Sequence, residues 1–378
     1  VGVTTRFELP GEDDARRRQV REWLAAHPRP TGRELAEGGW VVPHWPAPYG
    51  HEADPIFQLV VEEELARAQV SRPQNPIGIG WAAPTILLAG TDAQRERYLW
   101  PALAGEEIWC QLFSEPDAGS DLASLRTRAV RDGEDWVVSG RKIWTSGAHR
   151  AHFGILLART DPDAPRHRGI TYFICPMDAP GVAVRPIMDM TGLELFNEVT
   201  LDEVRLGPEL VVGQPGDGWR LAKLTLANER VSLSSGGVLW GSGPTAGDLV
   251  REVQEHGGLR GPMRDRLMRS WVRGEVLDLL RLRLLATRVA GREPGPEASV
   301  QKLAADLHGQ EVLRLAKDLQ GPAGSLATVD GAAALVREAA WHHGFLFSPA
   351  LTIGGGTSEV QRNVVAERVL GLPRDPGT

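Results

Sequence analysis

The chain has 378 residues, 42% of them hydrophobic and 24% charged, with a formal net charge of −7 at pH 7. This length exceeds one ordinary domain and points to two or three, with enough apolar residues for a large core and an enclosed cofactor. The acidic balance and the lack of any basic run exclude a nucleic-acid partner, which needs concentrated positive charge, but a local arginine cluster can still bind a small acidic molecule.

From Asp13 to about Trp109 the pattern is helical. Asp13–Ala26 is charged and amphipathic, and Pro28 and Pro30 stop it. Ile56–Gln69 repeats apolar residues at helical spacing, with Glu62, Glu63 and Glu64 beginning its polar side. Trp81–Ala89 and Asp92–Leu103 predict two more helices, the second with Thr91 or Asp92 as its N-cap. Near Trp109 the character changes. Asp135–Ser139, Phe153–Arg159, Thr171–Pro176, Val182–Pro186 and Phe196–Val204 are short runs rich in β-branched and aromatic residues, punctuated by Gly and Pro. They predict an all-β domain, a sandwich or barrel. From about Trp219 the chain is helical again. Arg220–Leu239, Met263–Gly291, Gly295–Leu319, Val329–Phe347 and Ser358–Leu370 carry long apolar periodicities separated by Gly and Pro clusters, the pattern of a bundle of four or five helices. The expected division is therefore α+β and multidomain: a helical domain over 1–108, a β domain over 109–218 and a helical bundle over 219–378. No GxGxxG follows a strand, so a dinucleotide would not be held in the Rossmann manner.

Cys110 and Cys175 are the only cysteines and read as buried small hydrophobes, not a disulfide framework. No apolar run approaches the ~20 residues of a membrane span. The charged N-terminal stretch is unlike a secretory signal, and a reducing cytoplasm is expected. His342 and His343 have no acidic partner at metal-motif spacing, so no metal site is expected.

Four segments have residue types that do chemistry. Ser114-Glu115-Pro116-Asp117-Ala118-Gly119-Ser120-Asp121 joins the helical part to the β part. Its small residues would let backbone N–H groups approach a phosphate or a ring edge, although the same residues also make an ordinary turn. Lys142-Ile143-Trp144-Thr145-Ser146-Gly147 places an indole beside hydroxyls at a strand end, a set for stacking on a planar ring or for a core tryptophan. Asn228-Glu229-Arg230 puts a carboxylate inside an apolar helix, either for an ion pair or for proton transfer. Gly354-Gly355-Gly356-Thr357-Ser358 with Gln361 forms a glycine run before a capped helix start, a loop and cap that also suits an anionic or carbonyl ligand.

Taken in order, these segments resemble the acyl-CoA dehydrogenase family over nearly the whole chain. Gly90–Leu99 with Ala104-Gly105-Glu106 is similar to the family's helix leading to the barrel, and Ser114–Asp121 to its first signature. Lys142–Gly147 is similar to its flavin-facing tryptophan segment, and Phe196–Arg205 to its exit strand. Gly213–Trp219 resembles the turn into the bundle, and Gly356–Arg362 the C-terminal signature. The resemblance implies helices, a β domain and a four-helix bundle, and non-covalent FAD. Gln111, Phe113, Ser114, Gly119 and Ser120 would lie along the cofactor, with Trp144, Thr145 and Ser146 against its ring. Thr357 and Glu359 would meet it from the C-terminal side, and Asp318, Gly321 and Pro322 would reach the FAD of a neighbouring subunit. Ser120, Asn228 and Arg230 would face the substrate.

The implied reaction is the loss of an α-proton to a carboxylate and of a β-hydride to flavin N5 from an acyl-CoA thioester. An electron-transferring flavoprotein is the expected acceptor, and a dimer of dimers the expected assembly. Many members carry the base, a Glu, just before Gly-Thr, where this chain has Gly355. In a branch that includes isovaleryl-CoA dehydrogenases the base is a Glu directly before an Arg on the first bundle helix, and Glu229-Arg230 matches that pair. Gly355 could then still polarise the thioester carbonyl through its N–H. Most relatives also carry Arg-x-x-Phe-Gly after that helix, contacting the FAD of an adjacent subunit. Val250–Met268 contains no such motif, a loss that also occurs in actinobacterial relatives acting on sterol side chains, some of which have a homologous partner subunit. An oxidase of the same fold and a mainly structural subunit of a heteromer are the competing expectations.

Overall fold

The computed structural model describes residues 9–233, 239, 243–289, 295–325 and 339–374. It divides into two units, Val1–Asp189 with Leu193–Asn228, and Met190–Gly192 with Glu229–Thr378.

The first unit opens with helices whose ends are written in the sequence. Helix α1 (Ala15–Ala26) is capped by Asp14, and α2 (Gly32–Glu37) by a Thr31/Glu34 capping box. Helix α3 (Pro55–Arg67) starts on Asp54 with Pro55 at its first turn. A π-turn over Gly78–Ala82 runs into α4 (Ala83–Ala89). Helix α5 (Asp92–Ala104) has a Thr91/Gln94 capping box and ends on Gly105, whose φ of +72° is the left-handed stop that glycine adopts without strain. Thr91 is thus the N-cap, of the two candidates.

Eight strands follow: β1 (Trp109–Leu112), β2 (Arg128–Asp132), β3 (Asp135–Lys142), β4 (Phe153–Arg159), β5 (Ile170–Pro176), β6 (Val182–Ile187), β7 (Phe196–Leu206) and β8 (Val211–Val212). They form one mixed sheet in the order β6-β7-β3-β2-β4-β5-β8, with β1 pairing parallel to β4. Two antiparallel runs meet where β2 lies parallel to β4 through the pair Arg128 and Arg159. The five predicted strands are present, with ends that agree to within three residues. The periodicity did not show β1, β2 and β8: β8 has two residues, and in β2 only Ala129 is buried.

The helices and the sheet share one core, from Val20 and Trp40 through Leu99, Trp109 and Phe113 to Tyr172, Phe173 and Leu221. Two buried amides tie the helices to the sheet. The Asn75 amide donates to Ala102 O and Glu107 O, both at 2.9 Å, and its oxygen accepts from Trp109 N. Gln94 donates to the carbonyls of Glu209 and Val211 at 2.7 and 2.8 Å. Each satisfies backbone groups at a helix-to-strand junction that would otherwise be buried unpaired.

Helix α6 (Gly218–Leu233) belongs to the first unit through Asn228 and to the second from Glu229. The second unit continues with α7 (Ala246–Glu255), α8 (Pro262–Val289), α9 (Glu297–Leu319), α10 (Ala339–Phe347) and α11 (Ser358–Val364), which a π-turn over Val365–Val369 extends. Its core gathers Leu249, Val253, Leu267, Val312, Leu313, Leu315, Ala316 and Trp341. The predicted helices over 220–239 and 329–347 lie partly outside the described residues, at 234–238 and 329–338. Helix α7 was not predicted, although Thr245 and Asp248 form a capping box at its start. No described helix is long and apolar enough to cross a membrane, and no described His, Cys, Asp and Glu group could hold a metal ion.

Candidate active site

The loop Ser114–Asp121 is fixed from beneath by a buried ion pair. The Glu115 carboxylate accepts from Arg126 N at 2.6 Å, from Thr127 N at 2.9 Å and from Lys142 Nζ at 2.8 Å; Lys142 also donates to Phe113 O at 3.1 Å. Both side chains are buried, Lys142 completely. Burial pulls the Lys142 ammonium down to about 8 against the attraction of Glu115. Burial works to raise Glu115, but Lys142 and the N–H donors outweigh it and hold the carboxyl below its ordinary range. At pH 7 both are charged, and the pair ties the start of the loop to the end of β3. Ile143 N donates to Ser114 O at 2.9 Å and closes the same corner. Above this base Ser114 is half-buried, while Gly119 and Ser120 are exposed, and a Cβ at Gly119 would meet nothing within 4 Å. Gln111 lies half-buried on β1 beside Ile155. The Phe113 ring is turned into the core against Tyr172, so this residue offers a neighbouring ligand only its backbone.

Immediately after Lys142 the chain turns. Trp144 adopts φ +59°, a costly backbone state for a bulky residue, and its indole is 58% exposed, with Phe196 edge-on at 5.9 Å. The strain is held by β7. Thr145 N donates to Asn197 O at 3.0 Å, the buried Asn197 amide donates to Thr145 O at 2.9 Å, and Gly147 N donates to Leu195 O at 2.8 Å. Asn197 is thus a positioning residue within the exit-strand segment that the reading of single side chains did not pick out. Thr145 Oγ1 is buried without a hydrogen-bond partner among the described residues, and Ser146 is half-buried. An exposed indole held in a strained backbone, hydroxyls beside it and a loop open at Gly119 suit a planar ring with polar edges, the chemistry of a flavin.

Helix α6 is anchored by a buried chain of hydroxyls. Thr225 Oγ1 meets Thr85 Oγ1 at 3.0 Å and Tyr172 Oη at 3.1 Å, and donates to Leu221 O. Asn228 and Glu229 follow one turn later; Asn228 is half-buried and Glu229 is 7% exposed. The Arg230 side chain lies outside the described residues.

In the second unit Gly355 and Gly356 take φ +66° and +91°, and the buried Gln361 amide donates to both carbonyls, at 3.1 and 3.3 Å. A Cβ at Gly356 would fall 2.6 Å from that amide, so glycine is needed there for both space and conformation. Thr357 Oγ1 caps Val360 N at 3.2 Å, and Glu359 is exposed and paired with Arg362. Asp318 pairs with Arg266, and Gly321 and Pro322 lie exposed just beyond. Within this unit the structure gathers Gly355, Thr357 and Glu359 into one loop and helix start.

Three successive stretches match the acyl-CoA dehydrogenase N-terminal domain over residues 13–106, the middle domain over 110–204 and the C-terminal domain over 216–370. The chain belongs to the acyl-CoA dehydrogenase family, whose members are flavoprotein oxidoreductases. Among curated relatives it is 47% identical to acyl-CoA dehydrogenase FadE34 of Mycobacterium tuberculosis, over 90% of this chain but only 46% of the length of that protein. Among solved structures it is similar to the ChsE4-ChsE5 complex from Mycobacterium tuberculosis, with 32% identity, a TM-score of 0.78 and coverage of 98% of this chain and 100% of that one. It is also similar to the Tcur3481-Tcur3483 steroid ACAD, with 29% identity, a TM-score of 0.76 and coverage of 95% and 97%.

Proposed function

We propose that this chain is an FAD-dependent dehydrogenase that introduces a Cα–Cβ double bond into an acyl-CoA thioester, with Glu229 as the base. The observation that carries this reading is a buried carboxylate in the first bundle helix of a family member whose loop position is Gly355. Glu229 takes the α-proton. That proton is far less acidic than a carboxylic acid, so the thioester oxygen needs a hydrogen-bond donor, which the Gly355 N–H supplies. A flavin held there would supply the acceptor for the β-hydride. Trp144, Thr145 and Ser146 would hold the ring, and Gln111, the Phe113 backbone, Ser114, Gly119 and Ser120 would hold the rest of the cofactor. Asn228, Arg230 and Ser120 face the thioester. Thr357 and Glu359 meet the cofactor from the bundle, and an electron-transferring flavoprotein in the cytoplasm takes the electrons onward.

Glycine in place of a loop carboxylate leaves room beside the thioester, which favours branched or bulky acyl groups. That one of the similar structures is a steroid ACAD agrees with this choice. The absence of Arg-x-x-Phe-Gly from Val250–Met268 supports a second element of the reading: a homologous partner subunit supplies part of the cofactor site, in keeping with the similarity to a ChsE4-ChsE5 complex. Asp318, Gly321 and Pro322 are this chain's contribution to that shared boundary.

The test is a panel of straight, branched and steroid-side-chain acyl-CoA thioesters with an artificial electron acceptor, on the chain alone and with a co-expressed partner. Turnover strongest on bulky thioesters is expected. A protein that binds FAD but reduces it with none of them would overturn the reading.

A further inference from the structure

Three glycines in a row, Gly354-Gly355-Gly356, could take many conformations by themselves. The second unit removes that freedom from both sides. Upstream, α9 holds the 3₁₀ turn Ser348–Thr352 that leads into the loop. Lys302, buried and paired with the buried Asp306, donates to Leu351 O at 3.1 Å, and Gln310 donates to Ser348 O at 3.0 Å. Ile353 N and Gly354 N then both donate to Ala350 O. Downstream, the single amide of Gln361 on α11 reaches back and donates to Gly355 O at 3.1 Å and to Gly356 O at 3.3 Å. Gly355 is the residue between these two anchors, and its N–H has no acceptor among the described residues.

Filling space does not account for Gln361. Its side chain is 1% exposed, and its amide oxygen is buried with no hydrogen-bond partner among the described residues. That orphan acceptor is destabilising, and a methionine of similar shape would not carry it. What the amide has and a methionine lacks is its pair of N–H donors, and both are used on the loop carbonyls. The helix start beneath is itself fixed, because Gln361 N donates to Thr357 O at 2.9 Å and Val360 N donates to Thr357 Oγ1 at 3.2 Å. In a trans peptide the N–H points away from its own carbonyl, and these peptides are trans. Drawing the Gly355 and Gly356 carbonyls toward Gln361 therefore turns the N–H groups of Gly356 and Thr357 to the opposite side. The loop keeps its acceptors on one side and its donors on the other, an arrangement suited to an oxygen that gains negative charge.

We infer that Gln361 is the positioning residue of this loop: by holding the Gly355 and Gly356 carbonyls it sets the direction of the Gly355 N–H, and with it the polarisation of a ligand's carbonyl. The inference rests on the proposed function for its ligand, the acyl thioester, but it can be tested without turnover. Gln361 acts through the backbone, so its removal should weaken the polarisation of the carbonyl far more than the binding of the thioester.

The experiment uses the FAD-loaded protein and a coenzyme A thioester with carbon-13 at its carbonyl and sulfur in place of its β-carbon. This analogue has no β-hydride to lose, so infrared difference spectra read its carbonyl while it is bound and unreacted. In the wild type the carbonyl band should move to lower wavenumber on binding. Gln361→Met keeps the volume and removes the donors; it should lose most of that displacement while affinity changes by less than about 3-fold. With an oxidisable acyl-CoA its flavin reduction should slow by about 10- to 100-fold, with kcat falling and KM little changed. Gln361→Glu can donate only while its carboxyl is protonated, so its band should approach the wild-type position at low pH and leave it at high pH, whereas the wild-type amide does not titrate. The charged residues nearby in sequence and on α9, Glu359, Arg362, Lys302 and Asp306, are common to both proteins and cancel in the comparison. A wild-type band and a wild-type reduction rate in Gln361→Met would overturn the inference and leave the proposed reaction standing. No displacement in the wild type, or loss of FAD or of analogue binding in both variants at every pH, would also overturn it, the latter by assigning Gln361 to folding alone. A displacement that depends on Gln361, in a protein whose flavin no acyl-CoA reduces, would uphold the role of Gln361 and overturn the reaction instead.

Discussion

Lys142 and Glu115 hold each other charged where neither could remain so alone. Removing one partner leaves the other buried and uncompensated, at a cost of about 3–5 kcal/mol, whereas removing both leaves mainly a packing defect. Lys142→Met should therefore lower unfolding free energy by that amount in urea, and Glu115→Gln with Lys142→Met should regain part of it. A single-variant loss under about 1 kcal/mol would show that the pair does not brace the loop. Trp144 makes the opposite prediction. Its ring is mostly exposed, so Trp144→Ala should change stability by no more than about 0.5 kcal/mol while weakening FAD retention and altering the flavin spectrum. Unchanged occupancy and spectrum would remove Trp144 from the cofactor site. Trp144 and Glu229 were visible in the sequence as candidates, an indole among hydroxyls and a carboxylate in an apolar helix, and it is the family resemblance that gives them their proposed roles. Asn197 and the Glu115–Lys142 pair were not, because their work is done across 52 and 27 residues of sequence, and spacing along a chain does not report contacts between strands.

At the scale of elements, α1 and α3 are joined by a charge network centred on Glu64. Arg17 pairs with it directly, Arg21 Nε donates to it at 2.8 Å, and Arg67 lies at 3.4 Å; Arg17 and Glu64 are both buried. Burial works to raise the Glu64 carboxyl, but Arg21 and Arg17 outweigh it and hold the group below its ordinary value of 4.5. A carboxyl lowered in the folded state binds its proton more readily when unfolded. The stability it contributes is therefore complete above about pH 4.5 and is lost as pH falls through the folded value. Glu64→Gln should be destabilised by about 3 kcal/mol at pH 7, and its gap from the wild type should narrow below pH 4.5. A gap independent of pH would show that packing, not charge, is lost. The sequence marked Glu64 only as the polar side of a helix, because two of its arginine partners come from α1. Long helices and β-branched strands were legible from period alone. The four-residue β1, the polar β2, the two-residue β8 and the short α2 were missed because elements so brief carry too few residues to display a period.

At the scale of the molecule, the proposed sharing of the cofactor site predicts a second chain. Val250–Met268 lacks Arg-x-x-Phe-Gly, and α8 exposes Val272, Val276 and Leu279 at helical spacing. Light scattering of the FAD-saturated protein should show a dimer or a dimer of dimers, alone or with a homologous partner; an active, fully loaded monomer would contradict this. The reaction itself is tested most directly by mixing an acyl-CoA substrate with the yellow protein under nitrogen and following the loss of flavin absorbance, for the wild type and for Glu229→Gln. Rapid bleaching is expected in the wild type and, with FAD content and ligand affinity kept, bleaching slower by at least ~100-fold in the variant, the range expected when a general base is removed. Bleaching at the wild-type rate in Glu229→Gln would contradict it.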